Sequence, residues 1–151
     1  MIELMVVVGI IAILALMTLP SYLDKFVRDQ IIESMTVADV AKGPISLSWG
    51  MSQSMPVDNA AAGLPAPDKI VGNFVSSVSI ASGAIHVTFG NRANGAVKGK
   101  VLTLRPAIVA DAPIVPIAWI CGYAATPDKM TAIGANRTDV PAAFLPFNCR
   151  K

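Results

Sequence analysis

"MIELMVVVGIIAILALMTLPSYLDK" (1–25) opens the chain, and this stretch decides the fold. From Leu4 to Leu23, twenty consecutive residues carry no charge, which is the length of a helix that crosses the ~30 Å hydrocarbon core of a bilayer. Two residues do not suit a simple membrane anchor. Glu3 places a carboxylate at the edge of the apolar run, where acids are unfavourable in lipid. Pro20 removes a backbone N–H and so interrupts the helix.

An amphipathic helix is predicted to continue this segment to residue 50. Its apolar residues recur every three or four positions and form one stripe: Val27, Ile31, Met35, Ala38, Ala41, Ile45 and Trp49. Because the stripe continues past Pro44, we expect a bend there rather than an end. A helix from residue 1 to about 49 is roughly 70 Å long, whereas a domain of about 100 residues has a radius of gyration of ~13 Å. The first half of the helix must therefore protrude.

The rest of the chain predicts a small antiparallel sheet. Four apolar, partly alternating runs, at 73–80, 84–90, 100–108 and 113–123, are separated by turn residues. The predicted fold is α+β, with a long protruding N-terminal helix whose C-terminal half packs on a four-stranded antiparallel sheet. We divide the chain into a hydrophobic segment (1–23) and a globular domain (24–151). That domain comprises an amphipathic helix (24–50), a loop (51–72), the sheet (73–121) and a C-terminal loop (121–149).

The two cysteines, Cys121 and Cys149, fit no zinc spacing and no C-x-x-C redox pair. An apolar N-terminal segment that delivers the chain across a membrane indicates an oxidising compartment, so we expect one disulfide that closes the C-terminal loop. Two buried free thiols are the alternative.

The charge is modest overall, at +2, but uneven. Residues 84–151 carry eight lysines and arginines against three aspartates. A solvated basic face is one interpretation, and contact with an anionic surface or DNA is the other. Because aromatic residues do not alternate with these charges as in a nucleic-acid groove, we expect no specific nucleic-acid binding and at most a weak, salt-sensitive association.

The sequence offers little for catalysis. His86 is the single histidine, on the polar side of a predicted strand, and is interpreted as a surface or packing residue. No glycine-rich phosphate loop opens a helix, and the ten acids lack the spacing of a calcium loop. We predict no enzyme activity, no catalytic or metal site and no cofactor.

The opening stretch closely resembles the N-terminal segment of the type IVa pilins. The pattern is an acid before an unbroken apolar run, a proline seventeen positions later, a tyrosine and then charges: Glu3, Pro20, Tyr22, Asp24 and Lys25. Further pilin-like segments follow in the expected order: "GLPA" (63–66), "VTFG" (87–90), "TLRPAI" (103–108), "WICG" (119–122) and "LPFNCR" (145–150). Pilins of this family usually have four residues before the glutamate, the first an N-methylated Phe. This chain has two such residues. We therefore assign neither the N-methylation nor the mature N-terminal amine of the family to Met1.

The resemblance implies a helical homopolymer that forms an extracellular pilus filament. Before assembly, its subunits would lie in the inner membrane. The resemblance also implies a pilus assembly machinery as partner, contact with host or abiotic surfaces, and roles in adhesion, twitching motility, biofilm formation or DNA uptake. Glu3 would direct subunit assembly, and Gly9 and Pro20 mark a stretch, roughly Ala12 to Leu19, that would unwind in the filament. Three alternatives stay open: a type II secretion pseudopilin, a minor pilin, and a monomeric membrane-anchored adhesin or DNA-binding domain.

Overall fold

The first element of the fold is one long helix. The structure is a computed structural model that describes residues 1–18 and 22–151. Helix α1 runs from Ile2 to Ser52, two residues beyond the predicted end, and it continues past Pro44 as expected. It stops where Gln53 adopts a left-handed conformation and donates its N–H to the carbonyl of Trp49. Pro20 lies outside the described residues.

The two halves of α1 have different surroundings. All of residues 1–18 are exposed to solvent. From Val27 onward the predicted stripe is buried against the sheet, except that Met35 is only partly buried. Two polar residues, Gln30 and Ser34, are also buried on this side. The Ser34 hydroxyl donates to the Gln30 carbonyl, and the Gln30 side-chain oxygen accepts the Asn94 N–H, so both polar groups have partners.

The sheet lies across the second half of α1. Its main strands are β1 (Val75–Ala81), β2 (Ala84–Phe89), β3 (Val101–Ile108) and β4 (Ala118–Cys121), antiparallel and in the order β1-β2-β3-β4. A short strand β5 (Thr131–Ala132) pairs with the end of β3. Strand β1 has a register shift between Val75 and Ser77. The predicted fold class is confirmed.

Two details differ from the sequence prediction. The strand expected at 113–123 begins only at Ala118, because Pro113 and Pro116 lack the N–H that a ladder needs. The C-terminal loop, expected to be irregular, contains β5 and two short 3₁₀ turns, Ala142–Phe144 and Phe147–Cys149.

The C-terminal loop covers the face of the sheet that points away from α1. The N–H of Ile133 bonds to the carbonyl of Pro106, and that of Arg137 bonds to the Thr103 hydroxyl. Gly134 passes so close that a Cβ there would lie 2.6 Å from the Cβ of Ala84. His86, on this outer face, is therefore 3% exposed. Of its two interpretations, the packing residue is right and the surface residue is wrong, because the C-terminal loop covers this face of the sheet.

Candidate assembly arm and C-terminal loop

The most conspicuous functional feature is the exposed first half of α1. Its most apolar window of 18 residues has a mean hydropathy of 2.7, and none of that window is buried. Within the part of the chain that the structure describes, α1 is the one helix long and apolar enough to cross a membrane. Exposed apolar patches of this size mark contacts with a membrane or with other protein chains. We call residues 1–23 the arm.

The arm carries Glu3 and Gly9 but brings them to no site within the chain. Glu3 is exposed in the first turn of α1, where negative charge is favoured by the helix dipole. Gly9 follows six residues later, about 240° around the helix at 3.6 residues per turn, so the two do not share a face. A Cβ at Gly9 would meet nothing within 4 Å. Within the described residues, Glu3 and Gly9 are open to contact with another molecule, and Pro20 lies outside the described range.

The C-terminal loop is closed by the predicted disulfide. Cys121, at the end of β4, is bonded to Cys149, with 4.6 Å between their Cα atoms. The N–H of Tyr123 bonds to the carbonyl of Cys149 beside it. Arg150 donates to the carbonyls of Leu145 and Ala143. The last turns of the chain are therefore held as a preformed surface.

One contact joins this loop to the part of α1 where the globular domain begins. Arg28, near the start of the buried stripe of α1, donates from a terminal guanidinium nitrogen to the carbonyl of Ala143 at 3.0 Å. The loop is thus fixed at the level where α1 leaves the globular half and becomes the arm.

Three of the basic residues share one groove on the surface. Arg105, Arg150 and Lys151 line a shallow groove together with Tyr123 and Asn136, and no acid is among the residues that line it. The guanidinium of Arg150 is already engaged by backbone carbonyls. Such a groove attracts anions in a salt-dependent way, and the expectation of at most a weak, salt-sensitive association with nucleic acid stays a prediction.

His86 is held in one buried hydrogen bond. Its Nδ1 lies 2.9 Å from the Thr103 hydroxyl, which also accepts the N–H of Arg137. Burial, together with the nearby charge of Arg137, lowers the pKa of His86 from 6.5 to about 4. Nε2 is buried, and no other described residue offers it a hydrogen-bond partner. A neutral imidazole locked in this way packs the outer layer and is unsuited to bind a substrate. In the described residues, no group of three or more His, Cys, Asp or Glu side chains is placed to hold a metal ion.

Among the exposed apolar residues of the globular domain that sequence reasoning did not single out are Leu47, Met51 and Phe147. The signal for Leu47 and Met51 was present, because both fall off the buried stripe of an amphipathic helix. Phe147 had no such signal, since the side that a residue of a short 3₁₀ turn presents depends on the path of the loop.

Comparison with known proteins agrees with this architecture. A family model described as "Pilin (bacterial filament)" matches residues 27–150. The chain is 30% identical to a fimbrial protein of Neisseria meningitidis serogroup B, covering 99% of this chain and 91% of that protein. It is 30% identical to a type IV major pilin protein PilE1 of Neisseria gonorrhoeae, with the same two coverages. It is 34% identical to the fimbrial protein EcpC of Eikenella corrodens, covering 99% of this chain and 88% of that protein.

Proposed function

The chain belongs to the pilin family and is a structural subunit of a type IV pilus, and we propose that it polymerises through the arm. The observation that supports this is the contrast between the two halves of α1. The second half completes a core with the sheet, whereas residues 1–18 offer a fully exposed apolar surface. In a filament, that surface would be buried against the arms of other copies.

Before assembly the arm would lie in the inner membrane. Its twenty uncharged residues are long enough to span the bilayer, and the globular half, 24–151, would stand outside it. Transfer from lipid to a bundle of arms exchanges one apolar environment for another. The step therefore depends on packing between helices and on polar pairs, because lipid and protein bury apolar side chains about equally well.

Glu3 would supply the polar pair. Among packed arms, its carboxylate can bond to the N-terminal amine of a neighbouring subunit, as the family implies. An unpaired charge in a low-dielectric bundle is strongly unfavourable. Only a subunit in the correct axial register would then satisfy Glu3, so this residue selects the position at which each copy enters.

The test is electron microscopy of filaments sheared from cells, combined with Glu3→Ala. We expect the unchanged chain to form the bulk of thin filaments. The variant should reduce filaments at least about tenfold, the size of effect expected when a buried charge pair is broken, while its amount in the membrane stays normal. Glu33→Ala is the matched control, because Glu33 is an exposed acid on the same helix whose carboxylate accepts a hydrogen bond from the Asn73 side chain. It should leave the filaments intact.

Two outcomes would contradict the proposal. Normal filaments with Glu3→Ala would contradict the proposed role of Glu3, but they would not contradict polymerisation through the arm. An unchanged chain that stays monomeric in the membrane and is absent from sheared filaments would favour a membrane-anchored binding domain instead.

A further inference from the structure

We propose that Phe147 of one copy docks into an apolar groove formed by α1 and the following loop of a second copy. This contact would link globular domains directly, in addition to the packing of the arms. It rests on the proposed function, since it needs copies that are already parallel in a filament.

The groove lies at the C-terminal end of α1. Its helix side consists of Pro44, Leu47, Ser48 and Met51, whose spacing of three or four places them on one face of the helix. The opposite wall is the small segment Ala61–Ala62–Gly63. Leu47 is 64% and Met51 79% exposed. Apart from Ser48, the walls are therefore apolar, and the second wall consists of small residues, which leaves room for a large, flat side chain.

Phe147 has the properties of an insertion residue. It is 91% exposed and begins the 3₁₀ turn Phe147–Cys149. The disulfide through Cys149 and the hydrogen bonds of Arg150 hold that turn. Aromatic anchors on a preformed surface are the residues that contribute most to protein interfaces, because little conformational entropy is lost when they bind.

The groove and Phe147 lie on opposite edges of the sheet, so they cannot meet within one chain. The loop that follows α1 packs beside the edge strand β1, where Asn59 bonds to Val78 and Ile80. The C-terminal loop packs at the other edge, where Cys149 is bonded to Cys121 of β4. Two different surfaces that are complementary make a head-to-tail contact, which propagates as an open helical filament when the rotation does not close a ring.

The two surfaces also differ in height along α1. The C-terminal loop is fixed at the level of Arg28 by its bond to Ala143, whereas the groove spans Pro44 to Met51. At 1.5 Å per residue the offset is about 24 to 35 Å. With all arms parallel, the copy that donates Phe147 must be displaced by about that distance along α1, toward the C-terminal end of α1 in the copy that accepts it.

Charge complementarity supports a second copy as the occupant. Asp58 lies beside the groove, where its carboxylate accepts the N–H of Ala61 at 2.7 Å, and it remains exposed. Arg150 and the exposed Lys151 follow closely after Phe147 in the chain. Docking Phe147 would bring these cations toward Asp58, and opposite charges at the rim of an interface steer association and fix its register.

The test is site-specific photo-crosslinking in assembled filaments. A photoreactive benzophenone amino acid is placed at position 147, and filaments are formed from mixed unlabelled and ¹⁵N-labelled copies. Mass spectrometry of the linked peptides then identifies contacts between copies by their mixed isotope content. We expect links from position 147 to residues 44–63 of another copy in filaments, and none when the same chain is retained unassembled in the membrane.

Position 114 is the matched control. Ile114 is 92% exposed but lies in the connection between β3 and β4, so the same photoreactive residue there should not label 44–63. Links from position 147 to any other segment, or equal labelling of 44–63 from both positions, would overturn the docking while leaving the filament in place. Failure of the unchanged chain to form filaments would instead overturn the proposed function.

Substitution gives a second readout. Phe147→Ser should lower the yield of sheared filaments at least about fivefold relative to Ile114→Ser, as for loss of an interface anchor, with equal amounts of subunit in the membrane. Leu47→Ser should have a similar effect, and the double variant should be no worse than either single one, because both remove the same contact. Additive losses, or no loss with Phe147→Ser, would refute the pairing.

Discussion

Protonation of His86 should destabilise the globular half as the pH falls from neutral toward 5. The imidazole is buried, with Nδ1 at the Thr103 hydroxyl and Nε2 without a partner among the described residues. A second proton would place a positive charge in the buried layer between the sheet and the C-terminal loop, near the charge of Arg137. The lowered pKa of about 4, against an ordinary 6.5, follows from that burial and that neighbour.

The magnitude follows from linkage between protonation and folding. Between pH 6.5 and 4 the unfolded chain binds a proton at His86 that the folded chain does not, so stability falls as the pH falls. The full difference in pKa corresponds to about 3 kcal/mol, of which about 2 kcal/mol is lost by pH 5. Above pH 6.5 this contribution is fully present and the stability should be level.

Urea unfolding of the full chain in detergent at pH 7, 6 and 5 measures this effect. The fluorescence of Trp49 and Trp119 reports on the globular half alone, since both lie in it. His86→Gln keeps a polar group opposite Thr103 but does not titrate, so its free energy of unfolding should change by less than about 1 kcal/mol over the same range. Parallel pH dependences for the two proteins would refute the reasoning, whatever their stabilities at pH 7.

Three further predictions concern other parts of the chain. Replacing both Cys121 and Cys149 with Ser should lower the free energy of unfolding by about 3 to 4 kcal/mol, and thiol alkylation of unreduced filaments should label neither cysteine; two alkylated cysteines would rule out the bond. Gly134→Ala should cost about 1 to 3 kcal/mol in urea unfolding, because the added methyl meets backbone and side-chain atoms at a φ of 84°. Gly95→Ala, in open space, is its control, and equal losses would contradict the argument. Pro20→Ala should straighten the arm and give stiffer or differently spaced filaments in electron microscopy, whereas a map of the unchanged filament with unbroken helical hydrogen bonds from residue 4 to residue 19 would exclude unwinding there.

The parts of the fold that local chemistry determines were predictable from the sequence. The stripe from Val27 to Trp49 indicated how far α1 continues and which side of it meets the sheet. Helical periodicity depends only on residues that are near one another in the sequence. The apolar arm was also predictable, because an uncharged run of twenty residues can be recognised without knowing the tertiary structure. The disulfide followed from the number of cysteines and the compartment that the arm implies.

The remaining features depend on how distant segments meet. His86 looked exposed because its strand alternates, yet the covering layer at Gly134 and Arg137 comes from about fifty residues later. The late start of β4 reflects where prolines interrupt a ladder. The exposure of Phe147 and the second wall of the groove, Ala61–Ala62–Gly63, became visible only once the paths of the two loops were known.

The exposed arm also has a consequence for the entropy of association. Two proteins that meet in solution lose translational and rotational freedom, at an estimated cost of 4 to 15 kcal/mol or more. If residues 1–23 hold the chains in a bilayer, as proposed above, the chains would already share one plane and one upright orientation, so much of that loss would occur before they touch. Weak contacts between globular domains can then determine the geometry of a filament, although the same contacts would be too weak to join the domains if they diffused freely in three dimensions.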